Sequence, residues 1–160
     1  MAIEEEVIRR CMEHGVTLSL AESCTGGLIG SLLVDVPGSS KIFAGGITAY
    51  HNPPKQRLLG VPAGVLQRGG AVSEAAVRAM AEGARAAFGT TLAVAESGIA
   101  GPTGGSPEKP AGTVFIALAT PDGTTVAHHV FPGSRRAYKL HVAEAALAMV
   151  LRWLDSRQPS

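Results

Sequence analysis

Apolar residues recur at helical spacing through Ile3, Val7, Ile8, Cys11 and Met12, and Gly15 follows as a stop, so the chain is predicted to open with a helix. Alternation from Val16 to Ala21 predicts a strand, after which Leu28, Ile29, Leu32 and Leu33 return to the helical period until Pro37-Gly38. The result is a strand, a tight turn and a helix. Ile42 to Tyr50 predicts a second strand. Asn52-Pro53 is a capping residue followed by a proline at the first helical position, and it starts a helix running to Gly60 with Lys55 in its first turn. Ser73 is placed to cap a further helix that turns Ala76, Val77, Met80 and Ala81 inward. Thr91 to Ala95 is a short apolar run suited to a buried central strand. Four glycines and three prolines between Gly98 and Ala111 rule out a regular element and predict a long loop. Thr113 to Ala119 and Thr124 to Phe131 flank the turn-forming Thr120-Pro121-Asp122-Gly123 and predict an antiparallel hairpin. Ser134 then caps a long last helix carrying Tyr138, Val142, Leu147, Val150 and Leu154. Helices alternating with strands, plus one hairpin, predict an α/β fold: a three-layer α/β/α sandwich with a mixed sheet.

Composition narrows the function. A chain of 160 residues suits one domain, here residues 1–160, by the rule of roughly 100–200 residues per domain, and no repeat or linker divides it. Hydrophobic residues make up 46% and charged residues 17%, a globular and somewhat under-charged balance. The 14 basic residues are scattered and the formal net charge is +1, so no basic stripe exists for nucleic acid. The acidic start, Glu4-Glu5-Glu6, is unlike a signal peptide, and no apolar run reaches the ~18 residues of a membrane span; a cytoplasmic protein is expected. In that compartment Cys11 and Cys24 are expected as free thiols. The five histidines lack zinc-ligand spacing, so neither a metal nor another cofactor is expected. Self-association into a homo-oligomer is the general expectation for a soluble protein of this kind.

Two segments carry candidate chemistry. Ala21-Glu22-Ser23-Cys24-Thr25-Gly26-Gly27 lies where a strand ends and a helix begins, a place where free amides collect. Ser23 there has two readings. It caps the helix, or its hydroxyl attacks a carbonyl while amides around Cys24, Thr25 and Gly26, with Gly26 and Gly27 allowing close approach, hold the oxyanion. Cys24 is an alternative nucleophile without an activating histidine. The second segment, Tyr50-His51-Asn52-Pro53-Pro54-Lys55, sets a lysine at the positive end of a helix dipole, which favours the neutral amine. Lys55 is then a usable base for Ser23, or an ordinary surface lysine. His51 is either a substrate contact or a polar loop residue. The glycine loop has neither Walker A nor Rossmann spacing; Gly101, Gly104 and Gly105 cradle a phosphate or serve the loop alone.

Together with Gly70-Ala71-Val72-Ser73, Ser97-Gly98-Ile99-Ala100-Gly101-Pro102 and Lys109-Pro110-Ala111-Gly112-Thr113-Val114, these segments resemble, in order and over nearly the whole chain, the CinA C-terminal family. The resemblance implies a serine–lysine amidohydrolase that deamidates nicotinamide mononucleotide to nicotinic acid mononucleotide and ammonia. It implies Ser23 as nucleophile, Lys55 as base, Tyr50 as an assisting group, and Ser97 as a residue that activates the nucleophile or orients substrate. The chain departs from the family pattern at two places. Family members often read Thr-Tyr-Ser-Asn where this chain has Ala49-Tyr50-His51-Asn52, and Gly-Asp-Arg where it has Gly133-Ser134-Arg135. The implied partner is a small nucleotide substrate.

Overall fold

A computed structural model describes residues 1–159. Its elements run α1 (Ile3–His14), β1 (Leu18–Glu22), α2 (Leu28–Val34), a 3-10 turn at Ser39–Lys41, β2 (Phe43–Thr48), α3 (Asn52–Leu59), α4 (Ala63–Gly69), α5 (Glu74–Phe88), β3 (Leu92–Gly98), β4 (Thr113–Thr120), β5 (Gly123–Val130) and α6 (Arg135–Asp155). The strands form one mixed sheet in the order β2-β1-β3-β4-β5. β1 is parallel to both β2 and β3, whereas β3–β4 and β4–β5 are antiparallel. This is the α/β class expected, with helices on both faces.

Strand alternation divides the core. Leu18 and Leu20 of β1, Leu92 and Val94 of β3, and Val114, Ile116 and Leu118 of β4 pack with Val7, Ile8, Ile29, Leu33, Val142, Leu147 and Val150 on the α1, α2 and α6 side. Their neighbours Ala21, Ala93, Ala95, Ala117 and Ala119 face the other way, against Ala76, Val77, Met80, Ala81 and Ala84 of α5. Large branched side chains fill the space under three helices on one face. Alanine lets a single helix lie close on the other. The caps follow the sequence reading: Gly15 ends α1 in the left-handed conformation, and the Ser73 and Ser134 hydroxyls accept from the Ala76 and Ala137 amides at the starts of α5 and α6. The hairpin closes through Thr120 paired with Gly123.

Four details differ from the sequence reading. His51 stands at the N-cap of α3 without a side-chain cap bond, and Asn52 is already helical. The helix α4 and the turn at Ser39–Lys41 have too few apolar positions to show a period; buried Leu66, with half-buried Val65 beside it, anchors α4 in the core. β1 begins at Leu18 rather than Val16. β3 extends through Glu96 and Ser97 to Gly98, because cross-strand bonding to β4 continues where the apolar run has stopped.

The connections from β1 place the site. The chain leaves β1 through α2 to reach β2 on one side, then crosses by α3, α4 and α5 to β3 on the other side of β1. The carboxyl ends of three parallel strands therefore meet at a topological switch point, the position where open α/β sheets form crevices. Behind it, α5 is pressed onto α3 at Gly83, where an added Cβ would stand 1.8 Å from the Leu59 carbonyl oxygen. Gly83→Ala is expected to lower stability by roughly 1–3 kcal/mol despite the better helix propensity of alanine, since overpacking outweighs a gain of about 1 kcal/mol. Urea unfolding with an unchanged m-value checks this; a variant as stable as the parent would show that the helices are free to separate.

Candidate active site at the parallel strand ends

Ser23 follows the last residue of β1, Lys55 lies one turn into α3 just after β2, and Ser97 is near the end of β3. Together with Cys24, Tyr50, Asn52, Ala71, Val72, Gly98, Ala100 and Arg135 they line one cleft of about 220 Å³. Lys55 is only 1% exposed. Its Nζ stands 3.1 Å from Ser23 Oγ and donates to the Ala49 carbonyl at 2.7 Å. Burial pulls the Lys55 amine below the usual lysine range, while the charge of Glu96 opposes this. The cause is desolvation, which penalises the ammonium form. A larger depression of about 550 Å³ lies at the opposite end of the sheet around Glu82, Arg85 and Thr90, and its lining holds neither lysine nor histidine.

The Ser23 turn is held by two carboxylates. Glu22, at the end of β1, accepts from Thr25 Oγ1 at 2.6 Å and from the amides of Ile29 and Gly30 at 2.8 and 3.0 Å, and so caps α2 from below. Glu96 accepts from the amides of Ser23 and Thr25 and from Cys24 Sγ. The Gly26 amide bonds to the Ser23 carbonyl. The amides of Thr25 and Gly26, expected at an oxyanion, are thus committed within the protein, and neither residue lines the cleft. Among the described residues the Cys24 amide donates to no carbonyl or carboxylate, and Cys24 does line the cleft. Gly26 and Gly27 have φ of +64° and +105°, so they are required by the backbone of the turn rather than by a ligand.

Other expected residues divide in the same way. Ser97 is buried at the cleft wall, and Tyr50 lines the cleft with its ring largely exposed. His51 is exposed and outside the lining. Gly101, Gly104 and Gly105 lie in the loop beyond the wall; Gly101 contributes a carbonyl that accepts from Arg135 Nη1 at 2.6 Å. Arg135 Nη2 also donates to Tyr50 Oη at 3.1 Å, so the guanidinium, not the glycine loop, supplies positive charge at the cleft beside Lys55. Cys24 is a poor nucleophile: burial pushes its thiol up, and Sγ donates its proton to Glu96 at 2.7 Å. Both cysteines are free and buried.

Sequence reasoning passed over Glu96, Arg135 and Asn52 as site residues. For Glu96 a signal existed, since it continues the Leu92, Val94 alternation into the core, where a carboxylate requires partners. Arg135 gave none, because only the last helix packing on this sheet brings it near Tyr50. Among the described residues, no group of three histidine, cysteine or acidic side chains is placed to hold a metal ion, and no helix is long and apolar enough to cross a membrane.

Residues 1–154 match the model of the CinA C-terminal domain. The chain belongs to this family. A CinA-like protein of Geobacter sulfurreducens is 50% identical over 152 residues, which cover 95% of this chain and 37% of the relative. A CinA-like protein of Thermotoga maritima is 44% identical, with 98% of this chain and 38% of the relative covered. The chain thus spans less than two fifths of the length of these relatives. Solved CinA-family structures are of matching size. Competence damage-inducible protein A of Klebsiella pneumoniae superposes with a TM-score of 0.94 at 33% identity, covering 98% of this chain and 97% of the other. A competence/damage inducible protein of Agrobacterium tumefaciens gives 0.86 at 39%, with 97% of each chain covered.

Burial pushes the Glu96 carboxyl up from 4.5 to about 7, against the pull of its hydrogen bonds. Its folded value exceeds its unfolded one, so the folded state holds the extra proton between these values and stability falls as pH rises from 4.5 to about 7. Relative to Glu96→Gln, the parent domain is expected to lose stability across that window, on the order of 3 kcal/mol in total. Urea midpoints measured over a pH series check the sign; parallel curves for the two proteins would mean that Glu96 ionises as freely folded as unfolded.

Proposed function

We propose that this CinA-family domain is an amidohydrolase that converts nicotinamide mononucleotide to nicotinic acid mononucleotide and ammonia through Ser23 and Lys55. The observation that carries the reading is the desolvated Lys55 amine 3.1 Å from a serine hydroxyl in a cleft. A neutral amine donates one N–H to the Ala49 carbonyl and turns its lone pair to Ser23, which sets the direction of proton transfer. Ser23 Oγ attacks the carboxamide carbon and its proton passes to Lys55 Nζ. The Cys24 amide supports the oxyanion. Lys55 then protonates the amide nitrogen as the C–N bond breaks and ammonia leaves, and water, deprotonated by the same amine, hydrolyses the acyl ester and restores Ser23. Ser97 and Asn52 offer polar groups to the pyridine carboxamide or ribose. Arg135 receives the phosphate, a role suited to a planar guanidinium.

The substrate is the small nucleotide itself, and the reaction belongs to pyridine nucleotide recycling in the cytoplasm. Ammonia release from nicotinamide mononucleotide tests the reading. Ser23→Ala and Lys55→Ala are each expected to reduce turnover by at least ~10³-fold with melting temperatures near the parent's, as expected for two residues acting as one unit. Arg135→Ala is expected to raise KM more than it lowers kcat, since phosphate binding is shared by ground and transition states. Retained turnover in Ser23→Ala or Lys55→Ala overturns the mechanism, and a silent parent domain that binds the nucleotide makes it a binding module.

A further inference from the structure

Glu96 is fully buried beside the reaction centre, and the chemistry above gives it no part. Its side chain leaves β3 on the face of Leu92 and Val94, below the turn that carries Ser23. Three successive residues of that turn donate to it: the Ser23 amide and the Cys24 thiol, at 2.7 Å, and the Thr25 amide, at 3.2 Å to the same oxygen as the thiol. A carboxylate is suited to this because it only accepts and offers about four lone-pair sites. We propose that Glu96 is a positioning residue for the nucleophile, its carboxylate fixing the turn from which the Ser23 side chain reaches Lys55.

Among the described residues nothing else accepts from the Ser23 and Thr25 amides, so an altered side chain at 96 leaves buried donors unpaired and frees the turn to move. The groups facing Glu96 come from every side. Cys24 is above it, Glu22 is on β1, Tyr138 Oη lies 3.4 Å from Cys24 Sγ on α6, and Lys55 is on α3. The Glu96 charge raises the proton affinity of Lys55. A neutral residue at 96 therefore lets Lys55 deprotonate at lower pH while loosening the serine it serves. The two effects have opposite signs, and a purely structural role would not produce both.

The inference rests on the serine–lysine reading, and its test uses a probe independent of the nucleotide. The rate at which a fluorophosphonate labels Ser23 is measured over a pH series for the intact domain, Glu96→Gln and Glu96→Asp, alongside kcat and KM for ammonia release. Glu96→Gln is expected to lower the plateau labelling rate and kcat roughly 10- to 100-fold, as for a nucleophile displaced by about 1 Å. KM is expected to stay within about twofold, since the carboxylate makes no contact in the binding step. The acid limb of the labelling profile is expected to move to lower pH. Glu96→Asp keeps the charge, so its acid limb stays near the parent's while the plateau falls, and it carries the comparison if the glutamine variant does not fold. An unchanged plateau in both variants overturns the proposal, as does a lowered plateau whose acid limb does not move in Glu96→Gln. A parent domain labelled at Ser23 that releases no ammonia removes the nucleotide assignment and leaves Glu96 to be decided by labelling. A parent domain not labelled at Ser23 overturns both.

Discussion

The rest of the site depends on a cation whose hydration has been taken away. Lys55 is enclosed by the ends of three strands, with one carbonyl and one hydroxyl within reach of its nitrogen. Desolvating an ammonium is costly, and a protein meets that cost by pairing the charge or by removing it. Here no carboxylate is hydrogen-bonded to the amine, so the balance tilts toward the neutral form. Everything around it can be read as a consequence. The two prolines before Lys55 start α3 within a few residues of β2, which brings the lysine back over the β1 end. Close packing of α3 on α5 at Gly83 then seats that helix against the core.

The negative charge nearest Lys55 is spent on other partners one layer away. Glu22 and Glu96 point toward the α1, α2 and α6 face, where they satisfy the amides and the hydroxyl of the turn after β1. Amides at such a turn are ordinarily the places where a ligand anion would bind. In this protein most of them are filled from within, and the positive charge of the last helix at the cleft is that of Arg135.

The pairing of Ser23 with Lys55 was legible only through the family resemblance, since the residues alone left each with a second reading; the strand ends were legible from local signals, a strand-to-helix switch at Gly26-Gly27 and a proline start before Lys55. The hairpin and the three capped helices were legible for the same reason. The length of β3 was not, since its last residues owe their strand conformation to pairing with β4 across a fourteen-residue loop, residues 99–112. Nor was the use of the amides, because a carboxylate at position 96 reveals its partners only when β3 is laid beside β1. The glycine loop had two readings in the sequence, a phosphate cradle or a loop alone; in the structure its Ala100 lines the cleft and its Gly101 carbonyl steadies Arg135.

That last contact bears on how tightly a charged ligand is held. A free arginine carries about 2 kcal/mol of rotamer entropy that binding must remove. Arg135 has already lost much of this freedom, tethered between the Gly101 carbonyl and the Tyr50 hydroxyl. An anion reaching the cleft meets a fork held in place and exchanges one set of partners for another. The fork also ties together two segments far apart in the chain, the loop after β3 and the segment leading to Lys55. Any shift of the guanidinium thus loads both of the bonds that tether it.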